Sequence, residues 1–263
     1  MKILEQIIKK EYETGWELLS GMIPKGPGTA FPTHKLRWRL FERSFDNQYQ
    51  WSEIFSTHSY VLNLLIEHFD YSEEKLADLL EKSESKQIQP ADRENLLSFI
   101  ESILDKVEVT HNTAWHDLRN TLSQHRSHPD AKWALPEKVL KRYEDIYKKL
   151  EPKDPIEQIV WMFNDHWPNF PEGLEKKELS IREQEKLVVE RRVEGLRKIY
   201  EEFGFQKVKE LATSVKETRV YGDTLARIID KENEVLELCE YLKEDEGPVL
   251  HFIQRFILRK SLI

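Results

Sequence analysis

Apolar residues recur every three to four positions along most of this chain, and proline or glycine interrupts the repeats where they end. That period belongs to amphipathic helices rather than strands, whose apolar positions alternate. The spacing predicts a first helix over 2–20, with Leu4, Ile8, Trp16 and Leu19 on one face and Gly21 as its C′ stop. Residues 21–33 hold three Gly and three Pro and read as a loop. Thr33 is placed to cap a helix to about Arg43, carrying Leu36, Leu40 and Phe41. A longer helix follows from about Tyr49 to Phe69. Ser72 caps the next, ending near Lys82, and Pro90 opens another that runs to about Val107. A further helix spans about Thr113 to Ser127.

The stretch Trp133–Gly173 is the most distinctive. Val139, Tyr143, Ile146 and Leu150 form one stripe, introduced by Pro136. Ile156, Ile159, Phe163 and Trp167 form a second after the Leu150-Glu151-Pro152 break, with Asp154-Pro155 as N-cap and first-turn proline. Each of these two helices has an apolar face and a charged face, so each needs a partner to bury it. Beyond them a long helix is predicted over about 179–203, with Val189, Val193, Leu196, Tyr200 and Phe203 as its stripe and Gly204 as its stop. Shorter helices follow over 205–215, 219–230, 232–243 and about 247–261, which suits antiparallel neighbours on short turns. The final HFIQRFILRKSLI is apolar and has no stop signal, which predicts that the chain continues or that this end docks on a partner.

The fold class expected is therefore all-α, an irregular solenoid-like array of antiparallel helix pairs with ten or more helices. Three parts are expected: 1–83, 84–173 with the proline-punctuated pair, and 174–263. Three segments resemble the irregular HEAT-like or tetratricopeptide-like helical-repeat regions of large bacterial multidomain proteins. They are Trp133-Ala134-Leu135-Pro136-Glu137, Leu150-Glu151-Pro152-Lys153-Asp154-Pro155, and His166-Trp167-Pro168 with Pro171-Glu172-Gly173. The Trp-x-x-Leu-Gly-x-x-Tyr pattern of standard tetratricopeptide repeats is absent. The resemblance implies a scaffold or sensor region, with no catalytic role for these segments.

Composition narrows the function classes. Apolar residues make up 39% and charged residues 33% of 263, with only 9 Gly, which favours helix throughout. Seven Trp, 9 Tyr and 12 Phe supply the apolar mass that disordered chains lack. The net charge of −8 repels nucleic-acid backbones and anionic membranes at long range. No run approaches the roughly 18–20 apolar residues that span a bilayer. The single cysteine, Cys239, suits a reducing compartment, and the chain is read as cytoplasmic.

Few residues carry candidate chemistry. Gly21 and Gly26 have the spacing of a phosphate-binding loop, but Pro27 and Gly28 stand where Lys and Ser or Thr are required. His116, His125 and His128 are the candidate metal ligands, in a segment that also holds His111, Asp117 and Asp130. Zinc requires three or four such donors converging at about 2.0–2.3 Å. The plainer reading of these histidines is a partly solvated helix surface or an interface. Cys239 with His251 could form a nucleophile pair, but its neighbours Glu237, Glu240, Glu244 and Asp245 disfavour a thiolate. Lys35, Arg37, Trp38, Arg39 and Arg43 combine cations with an aromatic, as a single-strand platform does. A smaller basic group, Arg255, Arg259 and Lys260, lies near the end. No catalytic residue and no cofactor is assigned. The function expected is a non-enzymatic scaffold or interaction module whose partner is another protein or a neighbouring domain of a longer chain. The alternatives are a helical metal enzyme built on 111–130 and a nucleic-acid sensor built on 35–43.

Overall fold

The structure, a computed structural model, describes residues 2–24, 50–108, 111–174, 179–240 and 248–261. They form thirteen α-helices, two short 3₁₀ turns and one isolated parallel bridge between Ser72 and Glu108. The all-α class with ten or more helices holds. The Lys35–Arg43 platform lies outside the described residues. No helix among the described residues is long and apolar enough to cross a membrane.

These residues divide into two compact units. The first comprises residues up to Leu118 together with Glu137–Leu150; the second comprises Arg119–Pro136 and everything from Glu151 onward. Of the expected parts, 1–83 falls within the first unit and 174–263 within the second, while 84–173 straddles both, because the chain leaves the first unit within one helix and later returns to it.

In the first unit the predicted helix over 2–20 is two, α1 (Lys2–Lys10) and α2 (Tyr12–Gly21). In a straight helix Ile8 and Gly15 would lie about 10 Å apart along the axis. Here a Cβ on Gly15 would overlap the Ile8 Cα, so the chain doubles back and only glycine admits the approach. Gly21 is the last helical residue rather than the stop beyond it. Then come α3 (Trp51–Glu67), α4 (Glu73–Glu84) and α5 (Pro90–Ile103). Ser72 occupies the N-cap of α4 without a side-chain cap; its N–H and hydroxyl both donate to Asp70 Oδ1, at 3.0 and 2.7 Å. Trp16, Leu65, Leu76, Leu79, Leu96 and Ile100 fill the core. The Trp16 indole N–H, which burial would otherwise orphan, donates to Asp78 at 2.7 Å.

The next two helices are α6 (Thr113–Ser127), in which the boundary between the units falls, and α7 (Glu137–Lys149). Of the predicted α7 stripe, Tyr143, Ile146 and Leu150 are buried and Val139 is half-buried, with Leu140 buried beside them. Its partners are helices of the first unit. Tyr143 shares a buried hydrogen bond of 2.7 Å with Ser83, and the Tyr147 ring stacks on Trp115 at 5.1 Å. Arg142 binds both oxygens of Glu101, at 2.7 and 2.8 Å, the fork geometry that suits guanidinium to carboxylate.

The helix predicted to pair with α7 belongs instead to the second unit. It is α8 (Pro155–Val160), where Asp154 accepts the Ile156 N–H at 3.1 Å as the sequence suggests. It tightens into a 3₁₀ turn over Trp161–Phe163 and stops short of Trp167. The unit continues with α9 (Ile181–Phe203), α10 (Phe205–Leu211), α11 (Thr218–Leu225), α12 (Glu232–Glu240) and α13 (Pro248–Lys260). Ser180 and Glu183 cap α9 reciprocally, and Gly204 ends it at a φ of 81°. Ile156, Phe163, Leu196, Val208, Tyr221, Leu225 and Phe256 belong to one continuous core.

The apolar face of α9 differs from the expected stripe. Val188, Arg192, Leu196 and Ile199 are buried, Val193 and Tyr200 pack partly against the core, and Phe203 is exposed. A charged residue therefore stands in the middle of the buried face.

Candidate functional site

Two features of the second unit position its surface chemistry. The first is the close contact of α11 with α13, helices separated in sequence by α12. A Cβ on Gly222 would overlap the Phe252 carbonyl oxygen, so glycine lets the two backbones meet. Behind the contact Tyr221 is buried between Phe163 and Phe252, with ring centroids at 5.0 and 5.5 Å, and its hydroxyl donates to the Val208 carbonyl. Burial raises the Tyr221 hydroxyl well above the ordinary tyrosine range, so it acts here as a donor.

The second feature is Arg192, only 3% exposed. Its Nε donates to the Met162 carbonyl at 2.8 Å, and Nη2 donates to Asp165 and His166 carbonyls at 2.7 and 3.1 Å. One guanidinium thus satisfies three carbonyls that follow the end of a short helix and have no helical partner. Burial pulls its pKa down to about 10, against the opposing pull of Glu217 and Asp165. At neutral pH it remains a cation. The loop after Phe163 is consequently held against α9, and with it His166.

Between that loop, α11 and α13 lies an open cleft of about 470 Å³. Val220 and Leu258 give it an apolar wall; His166, Arg219, His251 and Gln254 supply polar groups, with Glu217, Asp223 and Arg255. Arg255 is committed to Asp223, its Nη2 donating at 2.9 Å and its Nε at 3.3 Å. Glu217 lies close enough to Arg192 to favour that guanidinium's charge. Asp223 is thus ion-paired, whereas the Glu217 side chain makes no hydrogen bond or ion pair among the described residues. Arg219 is exposed and makes no hydrogen bond or ion pair among the described residues, and the same is true of the His251 ring and the Gln254 amide. The cleft is left with one unengaged cation, Arg219, and one unengaged carboxylate, Glu217.

The three candidate metal ligands lie in separate contacts. His125 is buried rather than on the surface. Its Nδ1 accepts the Leu135 N–H at 3.0 Å and its ring lies edge-on to Trp133 at 5.3 Å, so it fixes the turn before α7. That nitrogen's lone pair is already used. His128 Nδ1 faces the Gln124 carbonyl at 3.2 Å, where it can only donate, and His116 lies against the Trp115 ring. No three His, Cys, Asp or Glu among the described residues are grouped to hold a metal. Cys239 is half-buried on α12 and does not line the cleft. Within the group Arg255, Arg259 and Lys260, two cations are paired: Arg255 with Asp223, and Lys260 with Asp230 at 2.5 Å.

Sequence reasoning missed both Arg192 and the cleft. A charged residue four positions from both Val188 and Leu196 was the available signal for Arg192. The cleft had none, because it joins residues 166, 217–223 and 251–258 through tertiary packing. Comparison with known protein families, curated proteins and solved structures finds no match to this chain.

Proposed function

We propose that this chain is a non-enzymatic protein-interaction module that docks a partner segment in the cleft between α11 and α13. The observation that carries this reading is the cleft's composition: an apolar wall with Leu258, 52% exposed, beside polar side chains without internal partners. An exposed apolar residue alone is ordinary. Set in a concave, partly polar surface beside unengaged donors, it has the make-up of an anchor pocket with a polar rim. The scaffold or sensor role within a larger bacterial protein, and the solenoid-like arrangement, form part of the same proposal and rest on the Trp133–Gly173 resemblance. A cytoplasmic setting is supported by the single cysteine.

The test is selection of short peptides from a displayed library on the whole immobilised chain. Selected peptides should lose about tenfold or more in affinity for Leu258→Asp, whose circular dichroism should match the parent because the residue is exposed. Selection that yields only peptides indifferent to Leu258→Asp overturns the assignment of the docking surface.

A further inference from the structure

We propose that a pocket on α3, in the first unit, binds a small organic ammonium: a protonated primary amine carried on an apolar body. The pocket has a volume of about 390 Å³, and among the described residues Met22, Glu53, Ile54, Thr57 and His58 line it. It shares no residue with the docking cleft, and its test does not depend on that reading. Positions 53 and 57, like 54 and 58, stand four apart on α3, so neighbouring turns of one helix supply both the polar groups and Ile54.

The polar groups of this lining share one property: each offers a lone pair and has no proton left to give. His58 is only 6% exposed, and its Nδ1 lies 2.9 Å from the Gln87 carbonyl. A carbonyl oxygen can only accept, so Nδ1 carries the proton and Nε2 the lone pair. Nε2 makes no hydrogen bond and keeps access to solvent. The Thr57 hydroxyl donates its proton to the Glu53 carbonyl at 2.8 Å. The Glu53 carboxylate accepts the Gln50 N–H at 3.1 Å, as part of the N-terminal cap of α3, and makes no ion pair. Three acceptors, one of them anionic, thus line one pocket, and its described lining holds no Lys or Arg.

An ammonium complements this set in kind, with three N–H donors, no acceptor and a positive charge for Glu53. A guanidinium would bring five donors to three acceptors and leave the surplus dehydrated. Met22 and Ile54 provide the apolar contact for the rest of the ligand. Cavities of roughly 300–1,000 Å³ suit free small molecules. A four-carbon lysyl stem would leave volume beside Met22 and Ile54 unfilled, so the body is argued to be as bulky as a phenyl ring.

The experiment follows backbone amide shifts of the isotope-labelled full chain as phenethylamine is added, against 2-phenylethanol, phenylacetate and a capped peptide with one Lys. Phenethylammonium should shift residues 53–58 saturably, bind about tenfold more tightly than the alcohol, and weaken with added salt. The His58 Nε2 resonance should move with them. Glu53→Gln keeps an oxygen to cap Gln50 but removes the charge. It should cost the amine about tenfold and leave the alcohol unchanged, a split that damage to the fold cannot produce. Equal binding of amine and alcohol, tighter binding of phenylacetate, or an amine affinity indifferent to Glu53→Gln overturns the ammonium selectivity. Tighter binding of the Lys peptide than of phenethylammonium overturns the free small molecule in favour of a protein side chain. Absence of shifts at 53–58 with every probe overturns the site itself.

Discussion

Arg192 shows how a single side chain can set the shape of a surface it does not reach. Its guanidinium is buried on the core face of α9, where dehydrating a cation is costly unless it is hydrogen-bonded. Three carbonyls, of Met162, Asp165 and His166, supply those bonds and in turn receive the donors they lack. Replacing it with Met keeps the apolar stem but strands the carbonyls. Arg192→Met should cost about 2–4 kcal/mol in urea unfolding followed by tryptophan fluorescence. Arg192→Lys should recover only part of that loss, because an ammonium cannot reproduce the planar fork. A variant as stable as the parent would show that the three bonds are not what holds the loop.

Helix existence was largely legible from apolar spacing, and several helix ends were legible from local signals, although Gly21 is the last residue of its helix rather than the stop beyond it. Asp154-Pro155 and Gly204 act where their chemistry predicts. The misses arise where tertiary contact decides. The break at Glu11 depends on Gly15 meeting Ile8, two turns away in sequence, and the α9 face depends on what Arg192 finds opposite it. Trp167 fits the α8 period, but the chain leaves the helix before it, and Arg192 binds the carbonyls that follow. The same reasoning singles out the α11–α13 contact. Gly222→Ala adds one methyl group against the backbone of α13, which cannot rotate aside as a side chain can. It should destabilise the chain by about 1–3 kcal/mol and reduce peptide affinity for the cleft by more than its distance from any ligand suggests. Thermal unfolding together with a binding titration of a selected peptide checks both effects; parent-like values in both would mean that the helices separate without consequence.

Across the whole chain, the two helices joined by Leu150–Pro155 illustrate why domain limits were hard to read. Their spacing and punctuation suit a helix pair, yet α7 buries its stripe in the first unit, through Tyr143 and Tyr147, and α8 buries its own in the second. Periodicity identifies a face that must be covered and is silent on what covers it. The function argued for the second unit likewise belongs to no single motif: Arg219, Leu258 and His251 meet only through packing. Its most direct test maps backbone amide shifts of the isotope-labelled full chain as a peptide selected on that chain is added. Shifts should concentrate in α11, in α13 and at residues 164–166, and should vanish for Leu258→Asp. Saturable shifts confined to any other surface, or no shifts at all, would contradict the cleft as the site of interaction.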